Sequence, residues 1–186
     1  MGYRHSEADI LAAAVTVAGR DGLAALSFGR VAKELGISDR MVVYYFPSKS
    51  DLIMAVVADL GAQLQGVLAE AFGDTPRGPD WLLRRSWPVL ASPAADEIFD
   101  IFFQAVGLAT AGVDPYPDLV NQLLAGWVAW LEPRVAPDGE VGQDQPHSSS
   151  QSAALAVMAT LDGLLLIRRT LGARAAEDAA HQLGIR

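Results

Sequence analysis

The chain of 186 residues contains no cysteine. That rules out disulfides, thiolate zinc sites and a cysteine nucleophile, and it suits a reducing, cytoplasmic setting. Histidine is scarce as well. His5, His147 and His181 are scattered with no two at ligand spacing, so no metal is expected. A basic surplus is also missing, since the net charge is −8. The sequence has no strand-like alternation, no repeat period and no apolar run long enough to span a bilayer, so no membrane is expected among its partners. It has no nucleophile elbow, glycine-rich phosphate loop or metal triad. The acids Asp96 and Glu97 are adjacent, so on a helix they point about 100° apart rather than into one site. No catalytic residue is assigned, no cofactor is expected, and the chain does not read as an enzyme. Ala8–Ala18 faintly resembles a signal h-region, but Asp9 interrupts it. The opening residues Met1 to Ser6, with Gly2, fit only a loose myristoylation pattern.

Apolar residues are abundant, at 51%, enough for a sizeable core in one or two domains. The stretch Ser27–Leu52, SFGRVAKELGISDRMVVYYFPSKSDL, organises the rest. It predicts two short helices around a tight turn, a proline break, and the start of a third helix. Small Ala32 lets the helices approach. Gly36 ends the first helix, because glycine takes a left-handed backbone without steric cost. Val31, Leu35, Ile37, Val42 and Phe46 face inward, and Ser27 and Ser38 are candidate N-caps. The second helix, of about seven residues, is too short to persist alone. Asp39, Arg40, Val43 and Tyr44 remain on its outer face, which implies a DNA-reading head. The bland alternative is a helical hairpin in a core.

Around that stretch the chain reads as all-α. Residues 1–6 form a short arm carrying Arg4 and His5. Ser6 and Asp9 mark a helix start, and Ile10, Ala13, Ala14, Val17 and Ala18 make its apolar stripe up to about Arg20. Leu23 and Leu26 tuck beneath the helix-turn-helix. Ser48 caps a long fourth helix to Phe72, with Leu52, Ile53, Val56, Leu60, Leu64, Val67 and Leu68 on one face. Further helices follow over Trp81–Leu90, Ala94–Thr110, Asp118–Glu132, Ser148–Leu171 and Ala173–Leu183, with an exposed loop over Pro133–His147. The expected division is a head over 1–52 and a body over 53–186. Six Lys/Arg balance six Asp/Glu in the head, whereas the body holds eight against sixteen. The body therefore carries the whole acidic excess, which repels DNA from surfaces that should not touch it.

The run VAKELGISDRMVVYYFPSKSDL resembles the DNA-binding domain of the tetracycline-repressor (TetR) family of bacterial regulators. The resemblance covers residues 6–55 by motif, and beyond that only helix number and length. It implies an all-α homodimer: a three-helix helix-turn-helix head joined by a long fourth helix to a ligand-binding and dimerising body. It also implies two heads on a palindromic double-stranded operator, released by a small-molecule effector. By position, Ser38–Tyr45 would be the recognition helix. Asp39, Arg40 and Met41 would face base edges. Val43, Tyr44, Tyr45 and Lys49 would follow the backbone, with Phe28 and Arg30 contributing from the preceding helix. Two departures stand out. Arg40 occupies a position that is small in many members, and Val43 replaces a phosphate-binding tyrosine, leaving Tyr44 to take that role. Arg40 can pair bidentately with guanine; alternatively it pairs with Asp39 or Glu34.

The resemblance also assigns a dimer-forming pair to Asp118–Glu132 and Ser148–Leu171. Leu123, Trp127, Trp130 and Leu131 form one apolar face there. Leu155, Met158, Leu161 and Leu165 form another, extended by Thr170, beside small Ala154, Ala159 and Gly163. Packing within one subunit is the other reading of both faces. The effector pocket would draw on Trp81, Trp87, Phe99, Phe102, Phe103 and Met158 as walls, with Asp96, Asp100 and Gln104 as polar handles. The same aromatics also suit a plain core. A second function class stays open: a helical small-molecule-binding or scaffold protein whose neutral head has little DNA affinity.

Overall fold

The computed structural model describes residues 5–136 and 146–185, with side chains omitted over 146–149. The arm residue Arg4, the pattern at Gly2 and the centre of the loop expected over 133–147 lie outside the described residues. The first helix, α1 (Glu7–Asp21), starts where the capping residues place it. Ser6 donates its N–H and hydroxyl to the Asp9 carboxylate at 2.8 and 2.9 Å, and Asp9 N–H donates back to Ser6 Oγ. Those Ser6 bonds hold the Asp9 carboxyl below the usual range. A 3-10 turn (Leu23–Ala25) leads into α2 (Phe28–Leu35) and α3 (Asp39–Tyr45). Then come α4 (Lys49–Phe72), α5 (Pro79–Leu90), α6 (Pro93–Thr110), α7 (Tyr116–Leu131), α8 (Pro146–Leu171) and α9 (Ala173–Gln182). The all-α class is as expected. The one β pairing among the described residues is an isolated parallel bridge between Arg77 and Val135.

The chain divides into two compact units. One comprises residues up to Ala62 together with Asp100–Val120; the other comprises Gln63–Phe99 and Asn121 onward. In the first, Ile10, Ala14, Val17 and Ala18 of α1 are fully buried, as are Leu23, Leu26, Val31 and Val42. Ile101 and Ala105 of α6 are buried as well. In the second, Leu82, Leu131, Val157, Leu164 and Leu165 are core residues. An aromatic cluster joins Phe72, Trp81, Trp127 and Trp130, with centroids 5.5–6.2 Å apart. The Arg77 and Arg134 guanidiniums lie over Trp81 and Trp130 at 5.5 and 4.0 Å.

Two expectations change. Val67, assigned to the apolar face of α4, is 52% exposed, because Leu64 and Leu68 already fill that face. By length and composition alone, α4 and residues Ser150–Leu171 of α8 are each apolar enough to cross a bilayer, contrary to the sequence reading. That reading sought uninterrupted runs, whereas Asp59 and Asp162 sit within segments whose average is still apolar. In α4 the residues Leu52, Ile53, Val56, Leu60, Leu64 and Leu68 are spent inside the chain.

Candidate nucleic-acid interface

The reading surface is built by a turn and two short helices. Ser27 Oγ accepts the Arg30 N–H and starts α2. Gly36 ends it with a left-handed φ of 65°, and Ile37 N–H reaches back to the Ala32 carbonyl at 3.0 Å. This six-to-one bond closes the helix and aims the chain into α3. Ser38 stands at the N-cap position of α3, but its side chain makes no capping bond. The seven residues of α3 are instead held by Val42 and Phe46, 0% and 4% exposed.

With those two inward, Ser38, Asp39, Arg40, Met41, Val43 and Tyr44 are left exposed. Tyr44 is 77% exposed, an unusual position for an aromatic ring without a partner surface. Its one ring neighbour is Tyr45, edge-on at 5.0 Å. Tyr45 is half-buried, and its hydroxyl donates to the His5 carbonyl at 3.4 Å. Arg40 makes no ion pair with any described residue; Glu34, one of its possible partners, is engaged by Arg20 at 2.8 Å. Arg40 is thus a free cation on the outer face of α3.

The remaining assigned cations are tied down within the head. Arg30 pairs with Asp21 at 2.8 Å, and Arg20 bridges Asp21 and Glu34. The Arg20 and Arg30 guanidiniums hold the Asp21 carboxyl below the usual range. Lys49 opens α4, and its ammonium donates to the Ala24 carbonyl at 3.2 Å. Ser48 caps α4 through a reciprocal arrangement with Asp51. Phe28 is half-buried.

The assigned body residues fall in both compact units. Trp81, Trp87, Asp96, Phe99 and Met158 belong to the second unit, and Asp100, Phe102, Phe103 and Gln104 to the first. Trp87 is buried and donates its indole N–H to Glu177 at 3.2 Å. Asp96 takes both ends of the Arg168 guanidinium at 2.9 and 3.1 Å. The Phe102 and Phe103 rings lie 5.2 Å apart, tilted by 57° to each other. Gln104 accepts the Leu23 N–H at 2.8 Å.

Among the residues assigned to a dimer face, Leu131, Leu161 and Leu165 are already buried within the chain, and Trp127 and Trp130 join the aromatic cluster. Leu123 is half-buried, and Leu155 is exposed. The large exposed apolar residues of this region are Leu155, Leu166 and Leu171 of α8 and Leu183 beside α9. Between those helices lies a shallow groove of about 500 Å³, lined among others by Ala159, Gly163, Ile167 and Leu183. The sequence reading gave α9 no part in this face; Leu166 and Leu171 fall off the buried stripe of α8, and Leu183 follows α9. No group of three or more metal-ligating side chains occurs among the described residues.

The surface is thus a short helix presented on a helix-turn-helix scaffold within an all-α chain. Residues 10–56 match the family described as bacterial regulatory proteins, tetR family. The match is confined to the head, and the chain as a whole has the fold of solved TetR-family regulators. It is similar to a structure assigned to the TetR-family transcriptional regulators from Rhodococcus sp., with a TM-score of 0.72, 19% identity, and coverage of 96% of this chain and 97% of that one. A TetR transcriptional regulator from Legionella pneumophila gives a TM-score of 0.68 at 20% identity over 98% and 97%. The multidrug binding protein EbrR, complexed with imidazole, gives 0.64 at 22% identity over 98% and 93%. No curated protein sequence matches the chain.

Proposed function

We propose that the protein is a sequence-specific DNA-binding transcriptional regulator, a cytoplasmic homodimer that represses from a palindromic operator and is released by a small molecule. The observation that carries this reading is the outer face of α3, where Arg40 and Tyr44 stand exposed over buried Val42 and Phe46. Arg40 reads base edges, while Tyr44, with Met41 and Asp39 beside it, sets the helix in the groove. Arg30 and Lys49 reach phosphates by exchanging their partners within the head.

The dimer forms through α8 and α9, whose exposed leucines flank a groove floored by small residues. EbrR is a multidrug binding protein, and its fold supports an effector site in the body. Effector binding shifts α4 and moves the two heads off the roughly 34 Å spacing of successive major grooves. Equal head separation in ligand-bound and free crystals would contradict that step.

A gel shift on the DNA upstream of the protein's own gene tests the reading, with Arg40→Ala and Tyr44→Ala as controls. Binding is expected to weaken with salt, because phosphate contacts release counterions. Absent or salt-insensitive binding favours the second reading, a small-molecule-binding or scaffold protein. The engagement of Arg30 and Lys49 inside a neutral head is the observation on that side.

A further inference from the structure

The turn between α1 and α2 is gripped by a side chain from far along the chain. Gln104 of α6 accepts the Leu23 N–H at 2.8 Å across 81 residues of sequence. Leu23 opens the 3-10 turn, and Gly22 at its N-cap has no side chain with which to satisfy the first amide. Gln104 therefore supplies the acceptor that the local sequence lacks. The fit is close: a Cβ on Gly22 would lie 3.1 Å from Gln104 Oε1, and the φ of 87° there already favours glycine. Ile101 and Ala105, on the same stretch of α6, are buried, so the helix carrying Gln104 is anchored in the same unit. One residue along the turn, Lys49 at the start of α4 holds the Ala24 carbonyl. The turn in question holds Leu23 and Leu26, both 0% exposed, in the core of this unit.

We infer that Gln104 is a positioning residue of the DNA-binding head: through the Leu23 amide it fixes the turn that sets how α2 and α3 are presented. It touches no base or phosphate and acts through the turn alone. The inference rests on the regulator reading above for its DNA consequence, while its structural half stands without it. The sequence places Gln104 equally well among effector handles, and the observed bond gives it this other task.

Two substitutions of similar size test the assignment. Gln104→Met fills the space without an acceptor, and Gln104→Glu keeps one. Hydrogen exchange at the Leu23 amide, measured on the full chain without DNA, is expected to speed up roughly tenfold in the Met variant and to stay near wild type in the Glu variant. Affinity for the upstream DNA is expected to fall roughly three- to tenfold in the Met variant, with recovery in the Glu variant. Leu23 exchange that is equally slow in the Met variant overturns the inference. So does unchanged DNA affinity despite faster exchange. A wild-type protein that binds no DNA overturns the regulator reading instead, and the exchange result separates the two failures.

Discussion

Two arginines of the head, Arg30 and Arg40, hold different electrostatic positions, and their substitutions should differ accordingly. Arg30 is paired with Asp21, while Arg40 has no described ionic partner. Arg40→Ala is predicted to cost about 1–3 kcal/mol on the specific site and to relax the sequence preference there. Arg30→Ala is predicted to weaken binding evenly across sequences and to lower the salt slope by about one. Competition binding against scrambled DNA distinguishes them, and equal losses on both DNAs for Arg40→Ala would remove it from base readout. A different residue governs pH. Burial raises the Asp162 carboxyl to about 6, and none of the described residues is its hydrogen-bond or ionic partner. Between its ordinary value and 6 the folded chain binds more protons than the unfolded one, so this group's contribution falls as pH rises through that window. Asp162→Asn is therefore predicted to stabilise the chain by about 1–3 kcal/mol at pH 7.5 and to change little at pH 4. Denaturant unfolding at the two pH values checks this, and equal effects at both would refute it.

At the scale of elements, Ser27, Ser38 and Ser48, three of the four serines at helix starts, are unequal. Ser48 exchanges bonds with Asp51, and Ser27 accepts one N–H, whereas Ser38 caps nothing with its side chain. Ser48→Ala is predicted to cost about 1 kcal/mol of stability and Ser38→Ala close to none, read by thermal unfolding. Gly36→Ala adds a Cβ with open space around it but forces a side chain into φ 65°, at a cost of about 1–2 kcal/mol. These starts and stops were legible in the sequence because capping and left-handed turns are local chemistry. For the same reason the α1 stripe and the inward pair Val42 and Phe46 could be read directly. What sequence left open was the destination of amphipathic faces. Trp130 packs against both Trp127 and Phe72, and Leu161 and Leu165 are buried within the chain, though spacing alone suited them equally to a partner. The bonds of Gln104 to Leu23 and of Lys49 to Ala24 span 81 and 25 residues, and no local pattern announces such pairings.

For the whole molecule, charge and apolar surface point toward association before DNA binding. The head contributes no net positive charge, and the chain carries −8. One head alone thus gains little from general attraction to phosphate, and two heads held together gain through effective concentration. The proposed pairing surface is the α8–α9 face, where Leu155, Ala159, Gly163 and Leu166 follow helical spacing and all are exposed. Small residues between leucines allow two such helices to approach closely. A stable pair must bury upward of about 1,000 Å² in total, which a face of two helices can supply. Leu166→Lys places a charge at its centre while leaving the chain's own core untouched, since Leu166 is 49% exposed. Sedimentation is predicted to shift from dimer to monomer with the thermal unfolding of secondary structure largely retained. Affinity for a two-half-site DNA is predicted to fall by roughly a hundredfold or more, and the salt slope to drop by about half, because one head contacts half the phosphates. A variant that still sediments as the wild type does would place the pairing surface elsewhere. A monomeric variant with unchanged DNA affinity would instead mean that a single neutral head suffices.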